Sequence, residues 1–282
     1  MLPGSQRGHW KKPEKTPMPD RYAVIGNPVA HSKSPAIHAE FARATSQDME
    51  YTRIEAPLDA FAAAVERFRG SGGKGLNVTL PFKGEAFHLC ARVSERARLA
   101  QVVNTLRFED SFGDNTDGVG LVRDISANLG LPLRGKAVLL LGAGGAAQGV
   151  VSALLEAGVA RLVIANRTVA KAETLVRRFA GASSACSYDA LAGHAFDIVV
   201  NATSAGLRGE APPVPEDLLG TTALAYDMVY GRDTPFLAAA RKAGAPACDG
   251  LGMLVEQAAE SFFLWRGVRP ATRPVLEKLR GA

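Results

Sequence analysis

The sequence predicts an α/β chain of two domains, with a mostly parallel sheet in the first and a dinucleotide-binding unit in the second. Three observations predict it. Short apolar runs alternate with amphipathic stretches, the pattern of βαβ units. One such run passes into a helix through a glycine-rich turn, Leu139-Leu-Leu-Gly-Ala-Gly-Gly-Ala-Ala147. The chain has 282 residues, 47% of them hydrophobic, which supports two ordinary cores.

The elements follow in order. Residues 1–20 are rich in Pro, Gly and Lys and lack apolar periodicity, so a disordered basic extension is expected there. Tyr22–Ile25 reads as the first strand. Ser34-Pro35 opens a helix, with Ser34 expected as N-cap and Ile37, Phe41 and Ala44 on one face. Glu50–Glu55 is a strand, Leu58–Phe68 a helix, and Gly75–Leu80 and Val103–Phe108 are strands. Asp117 stands at a helix start, and the domain junction is placed near Asp117–Leu131. Ala137–Leu141 is a continuous apolar strand followed by a helix over Ala146–Ala157. Leu162–Ala165 is the next strand and Thr168–Phe179 the next helix, with Thr168 as its cap. Asp197–Val200 and Ala223–Asp227 are further strands. Thr234-Pro235 opens a helix. After Asp249-Gly250 the chain is helical to Trp265, and again over Thr272–Leu279.

Bulk properties exclude several functions. The net charge of +5 is carried largely by the N-terminal arm (Arg7, Lys11, Lys12 and Lys15 against Glu14), so nucleic-acid binding has little support. No apolar run reaches the roughly 18 residues of a membrane span. Cys90, Cys186 and Cys248 lie far apart, with neither metal nor disulfide spacing, which suggests no metal site and a reducing cytoplasm.

The glycine-rich turn has the context a Rossmann-type unit requires, strand before and helix after. Gly142 permits the tight turn, Gly144 lets a pyrophosphate approach the backbone, and Ala147 is small enough for the helix to lie on the strand. Helix N–H groups there favour phosphate. The next strand ends Ile164-Ala-Asn-Arg-Thr168. Where an NAD site carries an acid for the ribose hydroxyls, this chain has Asn166, Arg167 and Thr168, with Lys171 one turn on. A guanidinium suits a 2′-phosphate, so the cofactor expected is NADP.

At the front, Ser32 and Ser34 are two apart, as are Asn77 and Thr79. Lys83 follows Pro81, Asn104 lies in Val103-Asn-Thr105, and Asp117 lies in Gly113-Asp-Asn-Thr-Asp-Gly118. Each alone is ordinary for a polar strand end or helix cap. Together they place hydroxyls, amides, one Lys and one Asp at strand C-terminal ends, where open parallel sheets bind ligands. Uncharged donors and acceptors suit a polyhydroxylated small molecule.

The segments YAVIGNPVAHSKSP, GGKGLNVTLPFK, VVNTL, GDNTDGVG, LLLGAGGAAQGV, IANRT, VNATSAG, YDMVY, TPFL and DGLGMLVEQAA occur in this order over about residues 21–282, and the chain resembles the NADP-dependent shikimate dehydrogenases. The resemblance implies reversible reduction of 3-dehydroshikimate to shikimate in aromatic amino-acid biosynthesis. It implies a substrate domain of residues 21–120 plus 252–282 and an NADP domain of 121–251. Ser32, Ser34, Asn77, Thr79, Lys83, Asn104, Asp117, Tyr230 and Gln257 would bind substrate, with Lys83 and Asp117 as the catalytic pair. Gly142, Ala143, Gly144, Gly145, Ala146, Asn166, Arg167, Thr168, Lys171, Ala202, Thr203, Met228 and Gly250 would bind the cofactor, with Glu95 as a further cofactor-side residue. Lys171 stands where many members have Arg, which keeps the charge and loses the bidentate fork. A quinate/shikimate dehydrogenase favouring NAD and a catalytically silent NADP sensor are the alternatives. The Asn-Arg-Thr stretch weighs against the first, and Lys83 with Asp117 against the second. A monomer or homodimer is expected.

Overall fold

The computed structural model describes residues 18–179, 181 and 183–281. The basic extension predicted for 1–20 lies almost wholly outside them. Two six-stranded sheets carry the chain.

The first sheet has the order β2-β1-β3-β5-β6-β4: β1 is Asp20–Gly26, β2 Met49–Glu55, β3 Gly73–Val78, β4 Arg92–Val93, β5 Thr105–Arg107 and β6 Phe112–Asp114. β2 and β3 flank β1 in parallel, β4 is parallel to β6, and β5 runs antiparallel to both β3 and β6. Strand alternation sends Ala23 and Ile25 of β1 to one face, with Leu76 and Val78 of β3. There they meet Phe61 and Phe68 of α2 (Phe61–Gly70) and Phe82. Between the same strands lie α1 (Ser34–Ala44), α3 (Lys83–His88) and α4 (Glu95–Ala100). The opposite face is covered by α1 and by α10 (Leu251–Arg266), whose Trp265 stacks on Tyr22 with centroids 4.6 Å apart.

From β6 the chain enters α5 (Asp117–Arg123), then a π-helical turn over Asp124–Asn128. The second sheet is parallel throughout: β7 (Ala137–Leu141), β8 (Arg161–Ala165), β9 (Ser183–Cys186), β10 (Ile198–Asn201), β11 (Leu224–Asp227) and β12 (Ala247–Asp249). Its order, β12-β11-β10-β7-β8-β9, is the doubly wound 6-5-4-1-2-3 arrangement, with the switch point between β7 and β10. Val138 and Leu140 face the core under α6 (Gly145–Glu156) and α7 (Val169–Val176). Leu139 and Leu141 face the core under α8 (Glu216–Gly220) and α9 (Pro235–Lys242). The chain closes with α11 (Arg273–Arg280).

Several boundaries differ from expectation. The helix expected from Leu58 begins at Phe61, because Leu58 is exposed and contributes no packing face. β3 stops at Val78 rather than Leu80; beyond it Thr79 still donates its N–H to the Ile25 carbonyl, but Leu80 points to solvent before Pro81. The strand expected over Val103–Phe108 is confined to Thr105–Arg107, and the helix expected to reach Phe179 ends at Val176.

Candidate active site

The first half of the site grows from the C-terminal edge of β1 and β3. At Gly26 a Cβ would sit 2.3 Å from the Thr79 methyl, so the absent side chain lets the two strand exits approach. The loop after β1 returns through a turn closed by Ser32 N–H to Val29 O, 3.0 Å. Ser34 is not the N-cap of α1. Lys33 holds that position without a side-chain bond, and Ser34 is the first helical residue, its hydroxyl accepting from Ser32 Oγ at 3.2 Å. Both serines are buried.

Asn77 is oriented by its surroundings. Its amide nitrogen donates among Thr105 Oγ1, Ser261 Oγ and Asn104 O at 2.9–3.2 Å, and its oxygen accepts the Tyr51 hydroxyl at 2.7 Å. Asn104 comes before β5 rather than at a strand's C-terminal end. Because β5 is antiparallel to β3, its beginning shares the edge where β3 ends. Asn104 Oδ1 accepts from Thr116 N–H, and its Nδ2 donates to Asp117 Oδ1 at 2.8 Å. Asp117 opens α5, where the helix dipole favours a carboxylate. Its other oxygen accepts the Lys83 ammonium in a short ion pair, with side chains 14% and 7% exposed. Gln257 Oε1 completes the cluster, within 3.3 Å of Asn104 Nδ2 and Thr116 Oγ1. Leaving either charge alone in such a place costs several kcal/mol, so the pair is held as a unit.

The second half is built at the switch point. Gly142 has φ +105°, and a Cβ there would meet the Thr203 methyl at 3.2 Å. Gly144 has nothing within 4 Å of where its side chain would be. That open cradle, at the start of α6, fits a pyrophosphate. A Cβ on Gly145 would lie 4.0 Å from Lys83 Cβ, so the turn stands against the first half beside its ion pair. Ala143 is buried and Ala146 half-buried. Asn166 braces its turn by donating to Thr168 O at 2.8 Å. Thr168 occupies the N-cap position of α7, but its hydroxyl makes no capping bond. Arg167 and Lys171 are exposed and form no ion pair among the described residues. Their uncommitted charges fit a 2′-phosphate.

Thr203 closes a turn on Asn201 Oδ1, placing Ala202 and Thr203 beside Gly142. Met228 N–H bonds Asn201 O, and no side chain fits at Gly250, where a Cβ would be 2.4 Å from Met228 O. Nearby Asp227 is fully buried. Burial raises its pKa, opposed by bonds from Thr234, Val229 N–H and Asn201. Tyr230, half-buried, packs against the cluster of Ile37, Phe41 and Leu251, which brings the loop after β11 to the first half; burial raises its pKa, and the neighbouring Lys33 backbone, Ser32 and Arg53 oppose that shift. Glu95 is exposed and paired with Arg98, on a helix that lies against α6.

Tyr51, Thr116 and Ser261 were not singled out by sequence. Ser261 could have been, since it lies four residues from Gln257 on one face of α10. His38, fully buried, stacks on Tyr51 at 4.1 Å with neither ring nitrogen bonded. Burial lowers its pKa to about 3, and the nearby Asn77 amide opposes part of that shift. A cavity of about 760 Å³ lies elsewhere, along β12 between Leu131, Arg232 and Arg280. No cluster of His, Cys, Asp and Glu that could hold a metal occurs among the described residues, and no helix there is long and apolar enough to cross a membrane.

Three family profiles match: the shikimate dehydrogenase substrate binding domain over residues 24–106, shikimate/quinate 5-dehydrogenase over 125–208, and the shikimate 5′-dehydrogenase C-terminal domain over 250–280. The chain is 60% identical to a protein of Aromatoleum aromaticum named shikimate dehydrogenase (NADP(+)), covering 93% of this chain and 97% of that one. It is 58% identical to the protein of that name from Methylobacillus flagellatus, over 93% and 100% of the two chains. Among solved structures it resembles the shikimate 5-dehydrogenase of Thermus thermophilus in complex with NADP(H) and shikimate, with 35% identity, TM-score 0.82, and 93% and 99% of the chains covered. The shikimate dehydrogenase of Aquifex aeolicus is similar at 32% identity and TM-score 0.82, over 92% and 97%.

Proposed function

The chain belongs to the shikimate dehydrogenase family, and from that premise we propose that Lys83 and Asp117 carry the proton in the reversible, NADP-dependent reduction of 3-dehydroshikimate to shikimate. The observation that carries this reading is the buried Lys83–Asp117 ion pair beside the glycine-rich turn. Ser32, Ser34, Asn77, Thr79, Asn104, Tyr230 and Gln257 hold the substrate around that pair. Gly142 to Ala146 receive the pyrophosphate, and Arg167 with Lys171 the 2′-phosphate. Ala202, Thr203, Met228 and Gly250 line the cofactor's path, with Glu95 at its rim.

When bound, NADPH supplies a hydride to the carbonyl carbon. Negative charge then grows on the ketone oxygen, and a cation beside it lowers that barrier. The Lys83 ammonium stabilises the oxygen and delivers a proton to it. Asp117, itself fixed by Asn104 and by its place at the start of α5, holds the ammonium in position and keeps the pair neutral overall. In the reverse direction the pair takes the proton from the shikimate hydroxyl. Asn77 Nδ2 is occupied by protein acceptors, so its oxygen faces the ligand as an acceptor for a hydroxyl.

We place the enzyme in the cytoplasm, a reading supported by three half-buried cysteines, all free. An assay following the absorbance of reduced cofactor, with shikimate or quinate and with NADP or NAD, tests the activity. The expected result is efficient turnover only with shikimate and NADP. Equal turnover of quinate with NAD, or none with any pair, overturns it.

A further inference from the structure

The two ends of the site differ in charge. One end holds the Asp117 carboxylate with the amides of Asn104 and Gln257, with Lys83 neutralised by its partner, and Asn77 lies between this end and Tyr51. An anion does not settle beside Asp117. The other end gathers the hydroxyls of Ser32, Ser34, Tyr51 and Tyr230. No charge belongs to those four groups themselves.

A charge does stand behind them. Arg53 lies two residues after Tyr51 on β2, so alternation puts both side chains on one face. Its Nε and Nη2 both donate to the Ser32 carbonyl, at 3.0 and 2.5 Å. That fork fixes the guanidinium plane against the serine loop. Nη1 has no hydrogen-bond partner among the described residues, and no carboxylate there pairs with the group. The guanidinium is close enough to Tyr230 for its charge to act on the phenol. Lys33 adds a second cation on the same rim, its Cε 3.8 Å from where a Cβ on Gly231 would be.

We propose that Arg53 is a specificity-determining residue that makes this site select a carboxylate: held by the Ser32 carbonyl, it supplies the positive charge that the surrounding hydroxyls lack. The inference rests on the shikimate activity proposed above and deepens it. Shikimate has one carboxylate and three hydroxyls. Its carboxylate goes to the Arg53 end, which leaves a ring hydroxyl to meet Lys83 and Asp117. The charge is mounted on backbone rather than on a free side chain, so little reorganisation accompanies binding.

Arg53→Gln and Arg53→Lys, compared with the unaltered enzyme, test this with two ligands of the same shape. Shikimate is followed by its KM, and its neutral methyl ester by its competitive inhibition constant against shikimate. In Arg53→Gln the KM for shikimate is expected to rise about tenfold, the size of one partly exposed charge acting on an anion a few ångström away. The constant for the ester is expected to stay within about twofold, and Arg53→Lys to recover part of the preference. The salt dependence of kcat/KM for shikimate should flatten in Arg53→Gln. If both ligands weaken equally, Arg53 merely braces the serine loop and the proposal fails. An unchanged shikimate KM overturns it as well. Both outcomes leave the shikimate activity standing, whereas loss of that activity in the unaltered enzyme defeats the underlying reading.

Discussion

At the scale of single residues, the charges and amides around Lys83 and Asp117 already have their partners, whereas Arg53, Arg167 and Lys171 have no carboxylate partner among the described residues. Lys83 makes its ion pair with a residue 34 positions away, so no spacing rule joins the two; strand-end placement puts both at one sheet edge, and the resemblance of the surrounding motifs makes them a pair. Lys83→Ala removes the proposed proton donor and leaves the other proposed substrate contacts, so kcat should fall by about 10²–10⁴ with KM little changed. Steady-state kinetics check this, and an equal loss in both terms would remove Lys83 from the chemistry. His38 behaves differently. Its folded-state pKa, about 3, lies below the value near 6.5 of the unfolded chain, so the unfolded state binds the extra proton. Its contribution to stability is therefore complete above about pH 6.5 and is lost as pH falls toward 3. Between pH ~7.5 and ~5 this one group should remove about 2 kcal/mol. His38→Phe keeps the aromatic stack and should shrink that acid-side loss, as read from urea midpoints at the two pH values. The helical period puts Ile37, Phe41 and Ala44 on the helix face and does not single out His38; that both its nitrogens lack partners emerges only once Tyr51 and Trp265 enclose it.

At the scale of elements, legibility followed burial. β7, β8, β10 and β11 are apolar on both faces, so each appears as an unbroken run in the sequence. β4, β6, β9 and β12 are two to four residues long with no buried apolar run, and neighbouring strands rather than their own composition make them strands. α3 and α4, six residues each, are too short for a helical period to register. Cap positions were read from residue type alone. That succeeded at Thr234, whose hydroxyl accepts from Leu237 N–H, and in position alone at Thr168, whose hydroxyl makes no capping bond; it failed at Ser34, since Lys33 holds the cap. The element that matters most for chemistry is α5. A Cβ on Gly118 would lie 2.7 Å from Ala153 Cβ and 2.9 Å from Gly149 O on α6, and one on Gly120 would lie 2.7 Å from Met253 O on α10. Backbone cannot yield as a long side chain does, so Gly118→Ala should cost about 1–3 kcal/mol and lower kcat by shifting Asp117. Gly70→Ala, which meets nothing within 4 Å, serves as the neutral control. Paired unfolding midpoints and kcat values check both, and a Gly118→Ala enzyme as stable and active as the control would refute the keyed contact.

At the scale of the whole molecule, two sheets with separate cores meet along α4, α5 and α10, with the glycine-rich turn on one side and the ion pair on the other. The doubly wound order of the second sheet places that turn at its switch point, so cofactor choice falls to the end of the neighbouring strand β8. Arg167→Ala should raise the KM for NADP by about ten- to hundredfold and leave that for NAD nearly unchanged. Kinetics with each cofactor decide it, and a retained preference for NADP would assign the 2′-phosphate to other groups. The overall architecture was legible because the βαβ rhythm and the glycine turn are local signals. The antiparallel β5, which brings Asn104 to the site from the start of a strand, was not, since chain direction leaves no trace in composition. The keyed helix α5 also bears on how such enzymes could be recombined. A hybrid that takes its cofactor half from another chain would inherit α6 with it, and any side chain in place of Gly149 would press on Asn115 and Asp117, at 2.9 and 3.2 Å. The natural unit of exchange is therefore neither sheet alone. It is a cofactor half that brings its own partner helix, so that Asp117, the carboxylate partner of Lys83, travels with the surface it was shaped against.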